Sequence, residues 1–211
     1  MWAAGVLGIL LMGAESAQAA ELPGIPGIDD GGLSIKSTGT YLAFMGLGLG
    51  SGFLDRWRSP GDTVDLAQVQ TGFFGLEEGG IFMLNAGLEK RVAPWFGHAI
   101  ELNMQQWSQG EEGSIGGGLV SYGRWLVPLN APVRPMIEGG AGVFFSADPF
   151  PADGTKFTFN LSTRLGLEVD LSESYRVRLL YGHVHHSNNG IVLPNPGIEA
   201  HGLTLALARA L

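Results

Sequence analysis

The sequence predicts an all-β protein, an eight-stranded antiparallel transmembrane β-barrel. Two observations predict it: stretches of alternating apolar and polar residues recur along the chain, and they number eight. Bacterial outer-membrane barrels have an even number of antiparallel strands, with apolar side chains facing lipid and polar ones facing the interior. No stretch beyond the N-terminal region is long and apolar enough for a transmembrane helix, which needs about 20 apolar residues. The N-terminal residues predict export, so the chain is either a β-barrel or a soluble β-protein, and strand length favours the barrel.

Composition limits the classes of protein to which the chain can belong. Its 211 residues are enough for one domain with a sizeable core. The absence of cysteine argues against a disulfide-stapled secreted module. A net charge of −8, with few and scattered basic residues, gives no indication of nucleic-acid binding.

Residues 1–20 are predicted to be a signal peptide. An apolar run from Val6 to Met12 precedes small residues that end at Ala20, which is typical of a secretory cleavage site. No Lys or Arg precedes that run, and a start codon placed too far downstream would explain this. A membrane anchor is the alternative, but the run is shorter than a spanning helix. We expect residues 21–38 to form a periplasmic segment and residues 39–211 to form the barrel.

Alternation of apolar and polar side chains marks the strands. The clearest runs from Lys156 to Leu171, where Phe, Leu and Val alternate with polar and charged residues. It is far longer than the about five or six residues of a typical globular strand, but it suits a tilted membrane strand. The other predicted strands are Thr40–Gly50, Ile81–Arg91, His98–Trp107, Ile115–Val127, Val133–Phe145, Tyr175–Ser187 and Leu203–Leu211.

The predicted connections alternate in length. The first, Ser51 to Gly79, and the last, Asn188 to Ala200, are long, whereas a tight turn lies around Pro94. If both chain termini are periplasmic, Ser187 lies at the outer end of strand seven. A barrel of eight strands is just wide enough for side chains to fill its interior, which argues against a porin.

The end of strand seven carries the residues of a possible esterase site. Strand side chains alternate between faces, so His185 and Ser187 share one face. That face is apolar lower down, which would place the pair against lipid. Serine becomes a nucleophile when a base takes its proton and a third group orients the base. Glu199, at the start of strand eight, could be that group, and Asn188 with the backbone of Gly190 could stabilise an oxyanion.

Each of these residues also has an ordinary explanation. A lone His-x-Ser is a weak motif, the Asn-Asn-Gly sequence at 188–190 is typical of a turn, and Glu199 could be a loop charge. The nearby imidazoles could instead bind a metal, although the residue at 186 points to the opposite face and no cysteine is available. The histidines of that alternative are His183, His185, His186 and His201.

The segment from Tyr181 to Glu199 resembles the signature of the outer-membrane lipid A 3-O-deacylases. The shared pattern is a His, one residue, Ser-Asn, a glycine three residues after the serine, and then Pro-Asn-x-Gly-Ile-Glu. The resemblance implies an eight-stranded barrel with an external triad. It also assigns the base to His185, the nucleophile to Ser187 and the orienting acid to Glu199. The two oxyanion donors would be the side chain of Asn188 and the backbone N–H of Gly190. His186 stands where the family often has an aromatic residue.

The implied activity is hydrolysis of the ester-linked 3-hydroxyacyl chain at position 3 of lipid A, the substrate in the outer leaflet of the bacterial outer membrane. No metal or cofactor is implied. A homodimer is possible, and the sequence does not fix the oligomeric state. Arg56 and Arg58 could meet lipid A phosphates or form a solvated loop.

Three other functions remain open at this stage. An outer-membrane phospholipase also uses a lipid-facing His-x-Ser, but such enzymes resemble larger, calcium-dependent barrels. A non-catalytic small barrel could serve as an adhesin or structural protein. A soluble periplasmic β-sandwich would lack membrane association altogether.

Overall fold

The computed structural model describes residues 64–76, 78–150, 153–188 and 190–211. Eight antiparallel strands in this part of the chain form a closed barrel, in which each strand pairs with the next and β8 pairs with β1. The predicted eight-stranded antiparallel barrel is therefore confirmed. The strands are β1 (Val64–Leu76), β2 (Gly79–Ala93), β3 (Phe96–Gln109), β4 (Glu112–Leu126), β5 (Val133–Phe150), β6 (Thr155–Asp170), β7 (Tyr175–Ser187) and β8 (Ile198–Ala210).

The position of the first strand differs from the sequence prediction. β1 lies within the stretch Ser51–Gly79 that was predicted as a long loop, and only residues 77–78 connect it to β2. The apolar–polar alternation of its sequence is interrupted by the adjacent residues Phe73 and Phe74. Phe73 is exposed on the outside of the barrel, and Phe74 is buried inside. The predicted strand Thr40–Gly50 lies outside the described residues, as do residues 1–20, residues 21–38, Arg56 and Arg58.

The outward face of the barrel is apolar over most of its height. Side chains of β2, β3, β6 and β8 largely alternate between exposed residues, most of them apolar, and buried residues, which are polar or small except at one end of the barrel. Large exposed apolar residues include Phe73, Phe82, Leu84, Leu88, Ile100, Leu102, Met104, Leu119, Leu165, Leu179, Leu203, Leu205 and Leu207. None of the described residues lies in a helix long and apolar enough to cross a membrane.

Charged side chains fill the middle of the interior and one of its two ends. Four arginines and four glutamates are buried among the described residues, and they pair with one another. Arg124 contacts three carboxylates: Nε lies 2.5 Å from Glu138, Nη1 lies 2.7 Å from Glu89, and Nη2 contacts Glu101. Such pairing offsets the high cost of removing charges from water. The eight residues are Glu89, Arg91, Glu101, Arg124, Glu138, Arg164, Glu168 and Arg178.

The other end of the interior is apolar. We call the end of the barrel at which β1, β3, β5 and β7 finish the site end. The buried cluster there includes Trp107 and Phe150, whose ring centroids are 4.6 Å apart. This cluster, termed the apolar plug, packs against His186, the residue before Ser187. Its members are Phe74, Ile81, Met83, Trp107, Phe144, Phe150, Val184, Ile198 and Ala200.

Candidate active site

The candidate site lies where β7 ends and β8 begins. In the antiparallel register, His185 stands opposite Glu199 and His183 stands opposite His201. β8 begins at Ile198, earlier than the predicted Leu203, and Glu199, which was expected at the start of this strand, is its second residue. The strand fixes its position, and its carboxylate projects beside the imidazole of β7.

Ser187 and His185 belong to the outward face of β7. They alternate with Val184 and His186, which are buried in the interior, and they continue the face on which Tyr181 is exposed. Even so, Ser187 is 1% and His185 is 5% exposed. The pair is thus outward-facing but shielded at the surface of the barrel.

The imidazole of His185 is oriented by Glu199. Nδ1 of His185 lies 2.5 Å from Oε1 of Glu199. A carboxylate accepts only, so the ring donates its Nδ1–H, and Nε2 is left with a lone pair that can take a proton. This is the tautomer that a serine hydrolase requires of its base.

The link between the base and the nucleophile is not closed. Nε2 of His185 and Oγ of Ser187 are both buried, and neither has a hydrogen-bond partner among the described residues. Catalytic hydrogen bonds are often long or misaligned without substrate and tighten when it binds. The hydrogen bond between the proposed acid and base is thus formed. The hydroxyl of Ser187, two residues from the base on the same face, is unpaired.

The two expected oxyanion donors lie next to Ser187 but already have acceptors. Nδ2 of Asn188 donates to the carbonyl oxygen of Val192 over 2.7 Å and to Oγ1 of Thr155 over 3.2 Å. The N–H of Gly190 donates to Oδ1 of Asn188 over 2.9 Å. Gly190 has a φ of 73°, a left-handed conformation that glycine adopts without strain.

Asn195 holds the start of the loop. Its Oδ1 accepts a hydrogen bond from the backbone N–H of Asn188 over 2.8 Å, and its side chain is buried. Asn195 was assigned no role from the sequence. Its place in the Pro-Asn-x-Gly-Ile-Glu pattern is the signal that could have indicated one.

His183, considered from the sequence only as a possible metal ligand, also lies at the candidate site. Its Nε2 contacts Oε2 of Glu199, the oxygen that His185 leaves free. The centroid of its ring lies 5.1 Å from that of His201. This contact depends on the cross-strand register, which the sequence alone did not fix.

The remaining histidine of the group faces the interior, as alternation predicted. His186 packs between Phe144 and Phe150, with ring centroids 5.1 and 5.0 Å away, and its Nδ1 lies 3.1 Å from Oγ1 of Thr158. The four-histidine metal site considered above would need this ring on the outward face. No group of three or more His, Asp or Glu side chains in the described ranges is arranged to hold a metal ion.

Most of the barrel sequence matches one known family. The sequence model of the lipid A 3-O-deacylase (PagL) family matches residues 82–208, which is more than half of the chain and includes every site residue named above. The chain belongs to this family. The PagL family deacylates lipid A, so membership supports a hydrolase that acts on lipid A, and it places the barrel in the bacterial outer membrane.

The solved structure of PagL agrees with this fold. The crystal structure of the outer membrane enzyme PagL matches with 19% sequence identity and a TM-score of 0.54, covering 67% of this chain and 97% of that one. Neisserial surface protein A (NspA) matches with 12% identity and a TM-score of 0.49, covering 71% of this chain and 97% of its own. No curated protein matches the chain.

Proposed function

We propose that this PagL-family barrel hydrolyses the ester-linked 3-hydroxyacyl chain at position 3 of lipid A with a Ser187–His185–Glu199 triad on its lipid-facing outer rim. The main support is the contact between His185 Nδ1 and Glu199 Oε1, with the unpaired Oγ of Ser187 on the same outward face. A base held in this tautomer beside an unpaired hydroxyl is suited to acyl transfer.

In the first half of the reaction, Ser187 Oγ attacks the carbonyl carbon of the ester while His185 Nε2 takes the hydroxyl proton. The tetrahedral intermediate collapses as the bond to the sugar oxygen breaks. His185 returns its proton to that oxygen, which leaves as the free hydroxyl at position 3, and the acyl group stays on Ser187. Glu199 stabilises the imidazolium that forms between these two proton transfers.

In the second half, water replaces the sugar. His185 takes a proton from water as the water oxygen attacks the acyl-enzyme carbonyl. Collapse of the second tetrahedral intermediate returns the proton to Ser187 Oγ and releases the 3-hydroxy fatty acid.

Stabilising the oxyanion requires a change of acceptors in the loop. The Asn188 amide now donates to Val192 and Thr155, and the Gly190 N–H donates to Asn188. A negatively charged oxygen is a better acceptor than a carbonyl or a neutral amide oxygen. We expect both donors to turn to the substrate oxygen when the ester binds.

The surroundings of Ser187 suit an acyl chain that arrives sideways in the membrane. Across the β6–β7 pair, Ser187 stands opposite Phe159 and His185 stands opposite Leu161. Phe157 lies 5.2 Å from Phe159 and 5.1 Å from Phe145, measured between ring centroids. This aromatic surface of β5 and β6 offers apolar contact beside the proposed nucleophile.

The first prediction tests the reaction directly. Expression in a lipopolysaccharide-bearing host should yield lipid A that lacks one 3-hydroxyacyl chain by mass spectrometry, and Ser187→Ala should abolish this loss because the nucleophile is gone. Ser108→Ala is the matched control, since this exposed serine stands near the end of β3 at the same end of the barrel. It should leave deacylation unchanged.

Other outcomes would point to the other functions considered for the chain. Accumulation of lysophospholipid with unchanged lipid A would indicate a phospholipase. Equal lipid A profiles for the unaltered chain and Ser187→Ala would favour a non-catalytic barrel. The homodimer stays a prediction from the sequence.

A further inference from the structure

The carboxylate of Glu199 lies between two imidazoles of the same strand. Its Oε1 contacts Nδ1 of His185 and its Oε2 contacts Nε2 of His183. The alternation of β7 places both rings on one face, and the antiparallel register sets Glu199 opposite the first and diagonal to the second. The proposed triad therefore has a fourth member in contact with its acid.

A second contact would help to hold the exposed carboxylate of Glu199 in one orientation. Its side chain is 59% exposed, whereas the imidazole it orients is almost fully buried. A glutamate side chain has several rotatable bonds, and an exposed one loses substantial rotamer freedom when it is held in one geometry. A single hydrogen bond to His185 would leave the carboxylate free to turn about that bond.

His183 is itself held in place. It stands opposite His201 in the β7–β8 pair, with the two ring centroids 5.1 Å apart, and its side chain is only 25% exposed. The centroid of the His185 ring is 6.5 Å away, so His183 meets the base through Glu199 rather than by direct stacking. A ring fixed in this way can fix the carboxylate in turn.

We infer that His183 is a positioning residue of the active site, which fixes the Glu199 carboxylate so that Oε1 accepts the Nδ1–H of His185. The inference rests on the proposed triad and extends it to a chain of four residues. His183 touches neither the serine nor the ester in this scheme, and its effect passes through Glu199.

The second prediction follows from this role. His183→Ala should lower kcat by about tenfold, the effect of losing one hydrogen bond to a charged group, and should leave KM for lipid A within about twofold, since only the transition state uses the orientation of the base. His183→Gln should recover part of the loss, because its amide N–H can still donate to Glu199. The measurement is the release of 3-hydroxy fatty acid from lipid A in detergent micelles by the purified, folded barrel.

A double-mutant cycle separates positioning from a general structural effect. Glu199→Ala should leave a residual rate, and adding His183→Ala should lower that rate no further, because the residue through which His183 acts is already absent. If the two losses multiply, His183 acts independently of Glu199 and the inference is wrong.

His98→Ala is the matched control. His98 is another partly buried histidine on the outward face, and its Nε2 lies 2.8 Å from Oγ of Ser121, far from the site in the β3–β4 pair. Its loss should leave kcat unchanged. A full kcat for His183→Ala, with Ser187→Ala inactive, overturns the positioning role but leaves the proposed function intact. Activity that persists in Ser187→Ala overturns the proposed function and the inference with it.

Discussion

At the scale of single residues, the site holds two buried polar atoms that have no partner in the described part of the chain, Oγ of Ser187 and Nε2 of His185. Leaving a buried polar group unpaired costs about 1–3 kcal/mol. A short movement that brings the hydroxyl to the ring nitrogen would remove both costs at once. An ester bound at the rim would favour this movement, since it positions the hydroxyl for attack.

The third prediction concerns the oxyanion donors. Asn188→Ala should lower kcat by about 10²–10³-fold, as removal of a single oxyanion donor does in other hydrolases. Thr155→Val is the control, because it removes one acceptor of the Asn188 amide and keeps the donor. Lipid A hydrolysis by purified variants measures both. An Asn188→Ala enzyme with unchanged kcat would exclude the side chain from oxyanion stabilisation.

At the scale of strands, closure of the barrel depends on β1. Val69 stands opposite Ala86 of β2 and Leu207 of β8, so β1 is paired on both sides. Without β1, two strand edges would be left unpaired in the membrane, where no water is present to satisfy them.

The fourth prediction tests this position of β1. Val69→Pro should prevent folding, because proline removes a ladder hydrogen bond in a strand that has two neighbours. The measurement is the electrophoretic shift between folded and heat-unfolded barrel. Ala131→Pro, in the exposed connection between β4 and β5, should keep the folded band. A folded Val69→Pro barrel would contradict the observed strand assignment.

Strand alternation made most of the fold and half of the site predictable. The long strand β6 and the placement of His185 and Ser187 on one face both follow from a period of two; the strand is confirmed, and the catalytic role of the pair stays a prediction. β1 was missed because the ends of the strand depart from the expected pattern: Leu66 and Phe74 are buried inside, and Asp65 is exposed, although Gln68 and Gln70 keep the inward face polar between them. The contact of His183 with Glu199 was missed because it depends on register, which alternation does not determine.

At the scale of the whole molecule, the interior is divided between the buried arginines and glutamates and the apolar plug at the site end. Buried ion pairs contribute little net stability, but breaking one leaves an unpaired charge. Arg124 contacts Glu89, Glu101 and Glu138, so three strands other than its own depend on this one guanidinium.

The fifth prediction follows from this arrangement. Arg124→Ala should lower the free energy of unfolding by about 3–5 kcal/mol, since buried carboxylates lose their partner. Lys90→Ala should change it by less than about 1 kcal/mol, because the Lys90–Asp65 pair is exposed and 3.8 Å long. Urea unfolding in detergent measures both. Equal effects of the two substitutions would show that the interior charges are not essential for stability.

The apolar plug also constrains the route by which reactants meet. Phe144 and Phe150 of the plug pack against His186, the residue before Ser187, so apolar side chains occupy the interior beside the proposed nucleophile. If Ser187 acts as proposed, we expect its hydrolytic water to come from outside the barrel and the glycolipid to come from the bilayer beside it. One small rim would then be the meeting point of two phases.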